Sequence, residues 1–166
     1  MTLTTHAVAG AALASLTPAH PIAGFCLGLA SHYALDAIPH WDYAIGSDSI
    51  DPKRGGNISI DRALLRDIGT IGLDLLIGIA LSFIFFASPA TLITVAAGVA
   101  GGVMPDFLQF LYTRMPRGPM QYVQRFHTFV HSTRRLREEG KHFVGIGSQA
   151  LIIAIFIVVA RTFVLH

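Results

Sequence analysis

ALLRDIGTIGLDLLIGIALSFIFFA, residues 63–87, is the stretch that decides the fold. Its only charged side chains are Arg66, Asp67 and Asp74, and the rest is almost wholly apolar. Coiled as a helix at about 1.5 Å per residue, it is long enough to cross a hydrocarbon layer roughly 30 Å thick. Working outward, Ser88-Pro89 makes a tight turn into a second long apolar run, 90–112. Upstream, the polar stretch 40–62, with Gly46, Gly55 and Gly56, reads as a loop. Before it lies a shorter apolar run, 22–38, which stops at Pro39. The breaker Thr17-Pro18-Ala19-His20-Pro21 separates that run from the first one, 3–16. Beyond the strongly basic stretch 113–142, the run 143–165 closes the chain. The expected fold is therefore all-α: an integral membrane bundle of about five spans, the first two short. An amphipathic interfacial helix is expected near 118–139, all in a single membrane-embedded domain, 1–166. Dense Gly and Ala, as at Gly28 and Gly98/Gly101/Gly102, permit close helix approach.

Composition agrees with a lipid solvent. The chain is 52% hydrophobic and 13% charged, where a soluble domain carries about 25% charged residues. No basic segment precedes the first apolar run and no small-residue cleavage site follows it, so a cleaved signal peptide is not expected. Cys26 is alone and forms no internal disulfide. With 12 Lys and Arg against 10 acids, the charge does not point to nucleic acid.

The placement of charge says more. If all five segments cross, the N-terminus, 39–62 and 113–142 share one side. Lys53, Arg54, Arg62, Arg66, Arg114, Arg117, Arg125, Arg134, Arg135, Arg137 and Lys141 then lie there, and only Arg161 lies near the other face. The positive-inside rule makes that side cytoplasmic. His6, His32, His40, His127, His131 and His142 fall on or near it, while His20 and His166 belong to the other.

Four constellations on that side can carry chemistry. In His32-Tyr-Ala-Leu-Asp36-Ala-Ile-Pro39-His40-Trp-Asp42, His32 and Asp36 share a helix face, and His40 and Asp42 can fold back over the helix end. Mixed imidazole and carboxylate suits Zn, Mn or Fe better than Mg or Ca. The other reading is that His32 and Asp36 only pair with each other. Asp74 lies deep in its segment, where an unpaired carboxylate costs a few kcal/mol; an ion pair with Arg66 or a hydrogen bond across helices would also explain it. Asp106 follows Pro105 at the same end of its segment. His127 and His131, again four apart, suit two ligands on one helix face, or are interfacial residues of a helix whose arginines meet anionic lipid. His6 sits at the start of the first segment.

Together these motifs resemble the bacterial inner-membrane, metal-dependent hydrolases of the YdjM-like type. The positions that carry the resemblance are His6, Pro105-Asp106, His127 through His131-Ser132, and His32 with Asp36. The order departs from the family pattern, since His32/Asp36 comes first. His131 follows Val130 instead of Thr, and the residues after Pro105 run Asp106-Phe-Leu-Gln109. The resemblance implies a hydrolase of the inner membrane.

The expected activity is metal-dependent hydrolysis at the cytoplasmic face, on a phosphoester or lipid-linked substrate. His6, His32, Asp36, His40, Asp74, Asp106, His127 and His131 are the candidate ligands for one or two divalent ions, Zn first and Mn or Fe as alternatives. Asp42 or Asp74 is the candidate proton acceptor, and arginines of 113–142 can hold a phosphate. Gly-x-Ser-x-Gly, Walker and Cys-nucleophile signatures are absent. The alternatives are a non-enzymatic metal or proton path through the bundle, or a structural membrane protein whose His and Asp groups only satisfy one another.

Overall fold

The computed structural model describes residues 1–47, 60–115, 117–134, 136, 137 and 139–164. Lys53, Arg54, Arg135 and His166, used in the charge reading, lie outside the described residues, as does 48–59 of the expected loop. Among the described residues there are six helices and no β-strand: α1 Leu3–Ser15, α2 Pro21–Asp36, α3 Arg62–Phe86, α4 Leu92–Arg114, α5 Pro119–Val130 and α6 His142–Val164.

Three of these, α3, α4 and α6, are long and apolar enough to cross a membrane. The sequence pattern suggests about five spans, so the difference lies in α1 and α2, with 13 and 16 residues. At 1.5 Å per residue they measure about 20 and 24 Å, short of a hydrocarbon layer of about 30 Å. Their surroundings explain why shortness is tolerated. α1 is packed against α2, α3, α4 and α6, and every residue of it except Leu13 is buried. Its length is set by its neighbours, because it presents almost nothing to lipid. α3 and α6 are the reverse: Leu73, Leu76, Ile84, Leu151 and Val158 are exposed on them, an apolar surface that needs lipid around it.

Glycine makes the centre possible. A methyl group at Gly10 or Gly28 would run into the Gly98 carbonyl, and one at Gly102 into the His6 carbonyl. The backbones of α1, α2 and α4 therefore approach as closely as backbones can. α4 runs through Pro105 unbroken. α3 is capped by Asp61, whose carboxylate accepts the Leu64 N–H at 2.8 Å.

The helix expected near 118–139 is shorter than that. Gly118 turns the chain with φ 67°, Pro119 starts α5, and α5 ends at Val130, with His131 already extended. Two backbone bonds explain the stop. The Ser132 N–H donates to the Asp36 carbonyl at 2.7 Å and the Leu136 N–H to the His40 carbonyl at 3.0 Å. The chain after α5 is thus stapled to the chain end of α2.

Candidate metal centre

The start of α1 shows how one part of the site is placed. Helix N-termini leave backbone N–H groups without intrahelical partners, and α1 has no cap of its own. Its donors are met from elsewhere in the chain. Thr2 N–H donates to Gln149 Oε1 of α6 at 2.9 Å, Leu3 N–H to the Tyr43 hydroxyl at 2.8 Å, and Thr4 N–H to Asp74 Oδ2 of α3 at 2.8 Å. These bonds fix the position of α1, and with it His6, one turn on.

Asp36, at the last turn of α2 and 1% exposed, is the centre of the cluster. Its Oδ1 lies 3.1 Å from His6 Nε2 and 3.7 Å from His40 Nε2. Its Oδ2 lies 3.2 Å from His32 Nε2, 3.6 Å from His127 Nε2 and 3.9 Å from His131 Nε2. The Met1 nitrogen is 2.8 Å from Oδ1. Asp42 lies alongside, 3.3 Å from His40 Nε2, 3.6 Å from His131 Nε2 and 3.1 Å from the Met1 nitrogen. Asp106 on α4 is 4.0 Å from His32 Nε2. The His6 and His32 rings stack at 3.9 Å.

The hydrogen positions on the histidines decide what these contacts mean. His32 Nδ1 is 2.8 Å from the Gly102 carbonyl, His40 Nδ1 is 2.6 Å from the Ile38 carbonyl, and His131 Nδ1 is 3.0 Å from the Ser132 carbonyl. A carbonyl only accepts, so in each ring Nδ1 carries the hydrogen and, in the neutral ring, Nε2 presents a lone pair. Those lone pairs face carboxylate oxygens. Both nitrogens of His6, Nε2 of His32 and His40, and Oδ2 of Asp36 are buried with no hydrogen-bond partner. A charged ring beside the carboxylate would be attracted to it, as the Met1 ammonium is at 2.8 Å. That one cation meets Asp36 Oδ1 and leaves Oδ2 and the Nε2 atoms of His6, His32 and His40 without a hydrogen-bond partner; with the rings neutral, a further cation among those lone pairs would supply the missing partner.

The residues present fit such a cation. His32, Asp36, Asp106 and His127 each offer a ligand atom, all within 4.8 Å of one another; so do Asp36, His40 and His131. Ligand atoms bound to one ion at roughly 2.0–2.2 Å lie about 3.0–3.5 Å apart; the His6 and His32 contacts of Asp36, 3.1 and 3.2 Å, fall in that range, and those of His127, His40 and His131, 3.6–3.9 Å, are somewhat longer. The Nδ1–H···O=C bonds are the outer contacts that orient a ligating imidazole. Burial pushes His127 down to about 4, with the His32 and His131 charges adding and Asp106 and Asp36 opposing; it is neutral at pH 7, the form a metal needs. Burial alone would raise Asp42, but His40, the Met1 nitrogen and His131 overcome it and hold the carboxyl below its usual range.

Of the expected ligands, the structure brings together His6, His32, Asp36, His40, Asp106, His127 and His131, with Asp42 beside them. It does not bring in Asp74, expected as both ligand and proton acceptor. The Asp74 carboxylate is occupied by the Thr4 N–H, the Thr4 hydroxyl at 2.8 Å and the Tyr43 hydroxyl at 2.5 Å. Among the described residues no histidine nitrogen pairs with it. The expected ion pair of Arg66 is made instead with Asp67, at 3.4 Å. Burial and the bond to Asp74 raise the Tyr43 hydroxyl well above its ordinary value, so it stays a donor.

Six participants escaped the sequence reading. Gln149 is a lone amide in an apolar helix, a visible signal for a buried polar anchor. Tyr43 follows the His40-Trp-Asp42 motif directly. The Met1 nitrogen and the Gly102, Ile38 and Ser132 carbonyls belong to the backbone and leave no trace in residue type.

Fold and site together define an all-helical protein with three helices fit to cross a membrane and a buried His/Asp cluster able to hold a metal ion. No protein-family model matches the chain, and neither a curated protein nor a solved structure does.

Proposed function

We propose that the protein is a membrane-bound, metal-dependent hydrolase, working at the membrane face where the cluster lies. The observation that carries this reading is the surroundings of Asp36: imidazoles of several elements crowd one buried carboxylate, and its Oδ2, both nitrogens of His6 and Nε2 of His32 and His40 have no hydrogen-bond partner, although the Met1 nitrogen donates to Asp36 Oδ1. His32, Asp36, Asp106 and His127 would hold the ion, with His6 against Asp36. Zn suits this donor set, as do Mn and Fe. A divalent ion there supplies Lewis acidity and lowers the pKa of water toward neutrality. Asp42, the partly exposed carboxylate outside that ligand set, can take the proton.

The substrate is a phosphoester, presented from the lipid. A cavity of about 510 Å³ lies between α4 and α5, lined by Tyr112, Gln121, Gln124, Arg125, Thr128 and Phe129. Thr128 directly follows His127, so the cavity and the metal ligands share one helix. Arg125 supplies the cation for a phosphate. Tyr122, Phe126 and Phe129 are exposed on α5, which suits a helix lying at a lipid surface.

In this reading α1 and α2 form a short hairpin crossing inside the bundle. The site faces the cytoplasm, as the basic residues indicate, and the membrane is the bacterial inner membrane, in keeping with the YdjM-like resemblance. Translocation is disfavoured by the opposite half of the bundle. There the buried hydroxyls are self-satisfied, Ser82 on the Gly78 carbonyl at 2.7 Å and Thr94 on the Pro18 carbonyl at 2.8 Å, and no buried charge continues a path among the described residues.

The test is to load detergent-solubilised protein with Zn²⁺ or Mn²⁺, measure bound metal, and assay a chromogenic phosphoester carrying an alkyl chain. Bound metal with chelator-sensitive turnover is expected. Protein that holds no divalent metal, or that holds it and cleaves no ester in wild type beyond an Asp36→Asn control, sinks the proposal.

A further inference from the structure

The first set of ligands leaves part of the cluster unused. The single-ion reading gives His40 and His131 nothing to do and uses Asp42, which they face, only as a proton acceptor. His40 is 1% exposed, and its Nε2 has no hydrogen-bond partner although it points between two carboxylates, 3.7 Å from Asp36 Oδ1 and 3.3 Å from Asp42 Oδ1. His131 Nε2 faces the same pair, 3.9 Å from Asp36 and 3.6 Å from Asp42. In both rings the Nδ1 hydrogen is taken by a backbone carbonyl, so both present Nε2 lone pairs. The Met1 nitrogen does not resolve this. It donates to Asp36 Oδ1 at 2.8 Å and leaves His40 Nε2 without a partner.

Building on the hydrolase reading, we infer that the cluster is binuclear: a second divalent cation is held by Asp36, His40 and His131, with Asp42 completing an N₂O₂ set. Asp36 bridges the two ions. Its Oδ2 faces His32, His127 and His131, and its Oδ1 faces His6 and His40, so both groups of histidines converge on this one carboxylate. The backbone serves this second site specifically. The bonds from Ser132 N–H to the Asp36 carbonyl and from Leu136 N–H to the His40 carbonyl tie the segment carrying His131 to the segment carrying His40 and Asp42. His131 itself is held to the end of α5 by its N–H on the His127 carbonyl at 2.9 Å; the two bonds fix where that end sits against Asp36 and His40. Two ions held across one carboxylate would supply charge for both the attacking and the leaving oxygen of a phosphoester, and paired ions serve peptide hydrolysis as well, so the phosphoester assignment rests on Arg125 and its cavity.

The test uses full-length protein in detergent, stripped with chelator and titrated with Mn²⁺ alone, read by metal content and by electron paramagnetic resonance. Two ions per chain with an exchange-coupled signal are expected. His131→Ala, chosen because the side chain lies outside the helix and is partly exposed, should weaken the second ion by about ten- to a hundredfold or more and leave one uncoupled ion. Asp42→Asn should weaken the second ion without touching the first and guards against a folding defect in the histidine variant. Wild type that binds one uncoupled ion, unaffected by either substitution, overturns the second site, assigns the Met1 nitrogen as the charge that Asp36 and Asp42 share, and leaves the single-ion hydrolase standing. Wild type that binds none overturns both.

Discussion

Asp36 and Asp74 are the same side chain on two helices that both pack against α1, and their surroundings differ in kind. Asp74 meets donors: a backbone N–H, a threonine hydroxyl and a tyrosine hydroxyl, each in hydrogen-bond geometry. Its charge is settled by the protein alone. Asp36 has one donor, the Met1 nitrogen on Oδ1 at 2.8 Å; its other neighbours are histidine Nε2 atoms at 3.1–3.9 Å, and its Oδ2 has no hydrogen-bond partner. An acidic residue in a membrane segment is a functional hypothesis by default; the donors around it decide whether the function is structural or chemical. Asp74 builds the start of α1, while Asp36 belongs to a cluster able to hold a metal ion.

The largest expected effect tests that division directly. Asp36→Asn should strip the metal and lower turnover by roughly a thousandfold or more, the rate equivalent of several kcal/mol of Lewis-acid stabilisation. Asp74→Asn should keep the metal and the turnover number, and cost stability, about 1–3 kcal/mol, through donors left unmet at the α1 start. Metal content, turnover and thermal unfolding in the same detergent measure both. If Asp74→Asn also releases the metal, the contrast between the two carboxylates collapses.

The next effect falls on the glycines that hold α1, α2 and α4 together. Gly98→Ala puts a methyl group against the Gly10 backbone and Ala14. Overpacking of a close core costs about 1–3 kcal/mol or more. Because His6, His32 and Asp106 ride on those three helices, metal affinity should fall with stability. Gly147→Ala is the control, since nothing lies within 4 Å of a methyl group there, and it should leave both unchanged. A Gly98→Ala protein that unfolds earlier yet binds metal as wild type would show that the helices position the ligands loosely.

These contrasts also mark what the sequence made legible. The long apolar runs announce α3, α4 and α6, because crossing lipid imposes length. The burial of α1 was hidden, since a helix wrapped by other helices need only be small and apolar, and Leu3–Ser15 has no polar stripe to orient it. The ligand candidates could be read from residue type and from the four-residue spacings of His32/Asp36 and His127/His131. For Asp74 the residue type allowed a hydrogen bond across helices, which is what it makes, but its partners could not be read, because Thr4 and Tyr43 are 70 and 31 positions away. Nor could the end of α5 at Val130, which depends on carbonyls of Asp36 and His40 arriving from another helix.

Tyr43→Phe is a finer probe of the structural carboxylate. It removes one hydroxyl that both donates to Asp74 and accepts from Leu3 N–H. A loss of about 1 kcal/mol is expected, smaller than that of Asp74→Asn, with metal content intact. A loss as large as that of Asp74→Asn would place the α1 anchor on the tyrosine and reduce Asp74 to its support.

The smallest effect concerns the substrate and leaves both carboxylates alone. Arg125 is exposed on α5, at the cavity that Thr128 and Gln124 share with the His127 side of the helix. An exposed ion pair is worth about 0.2–1 kcal/mol, so Arg125→Gln should raise KM for an anionic amphiphile by no more than about fivefold. Turnover number and metal content should be unchanged, and the effect should shrink as salt is added, because screening weakens exposed pairs first. The measurement is KM and kcat at low and high ionic strength, on one anionic and one neutral ester of the same chain length. A change confined to the anionic ester ties the cavity to the phosphate. An equal change on both would move Arg125 to packing of α5, and the phosphate site would have to be sought nearer Asp36, among the ligands themselves.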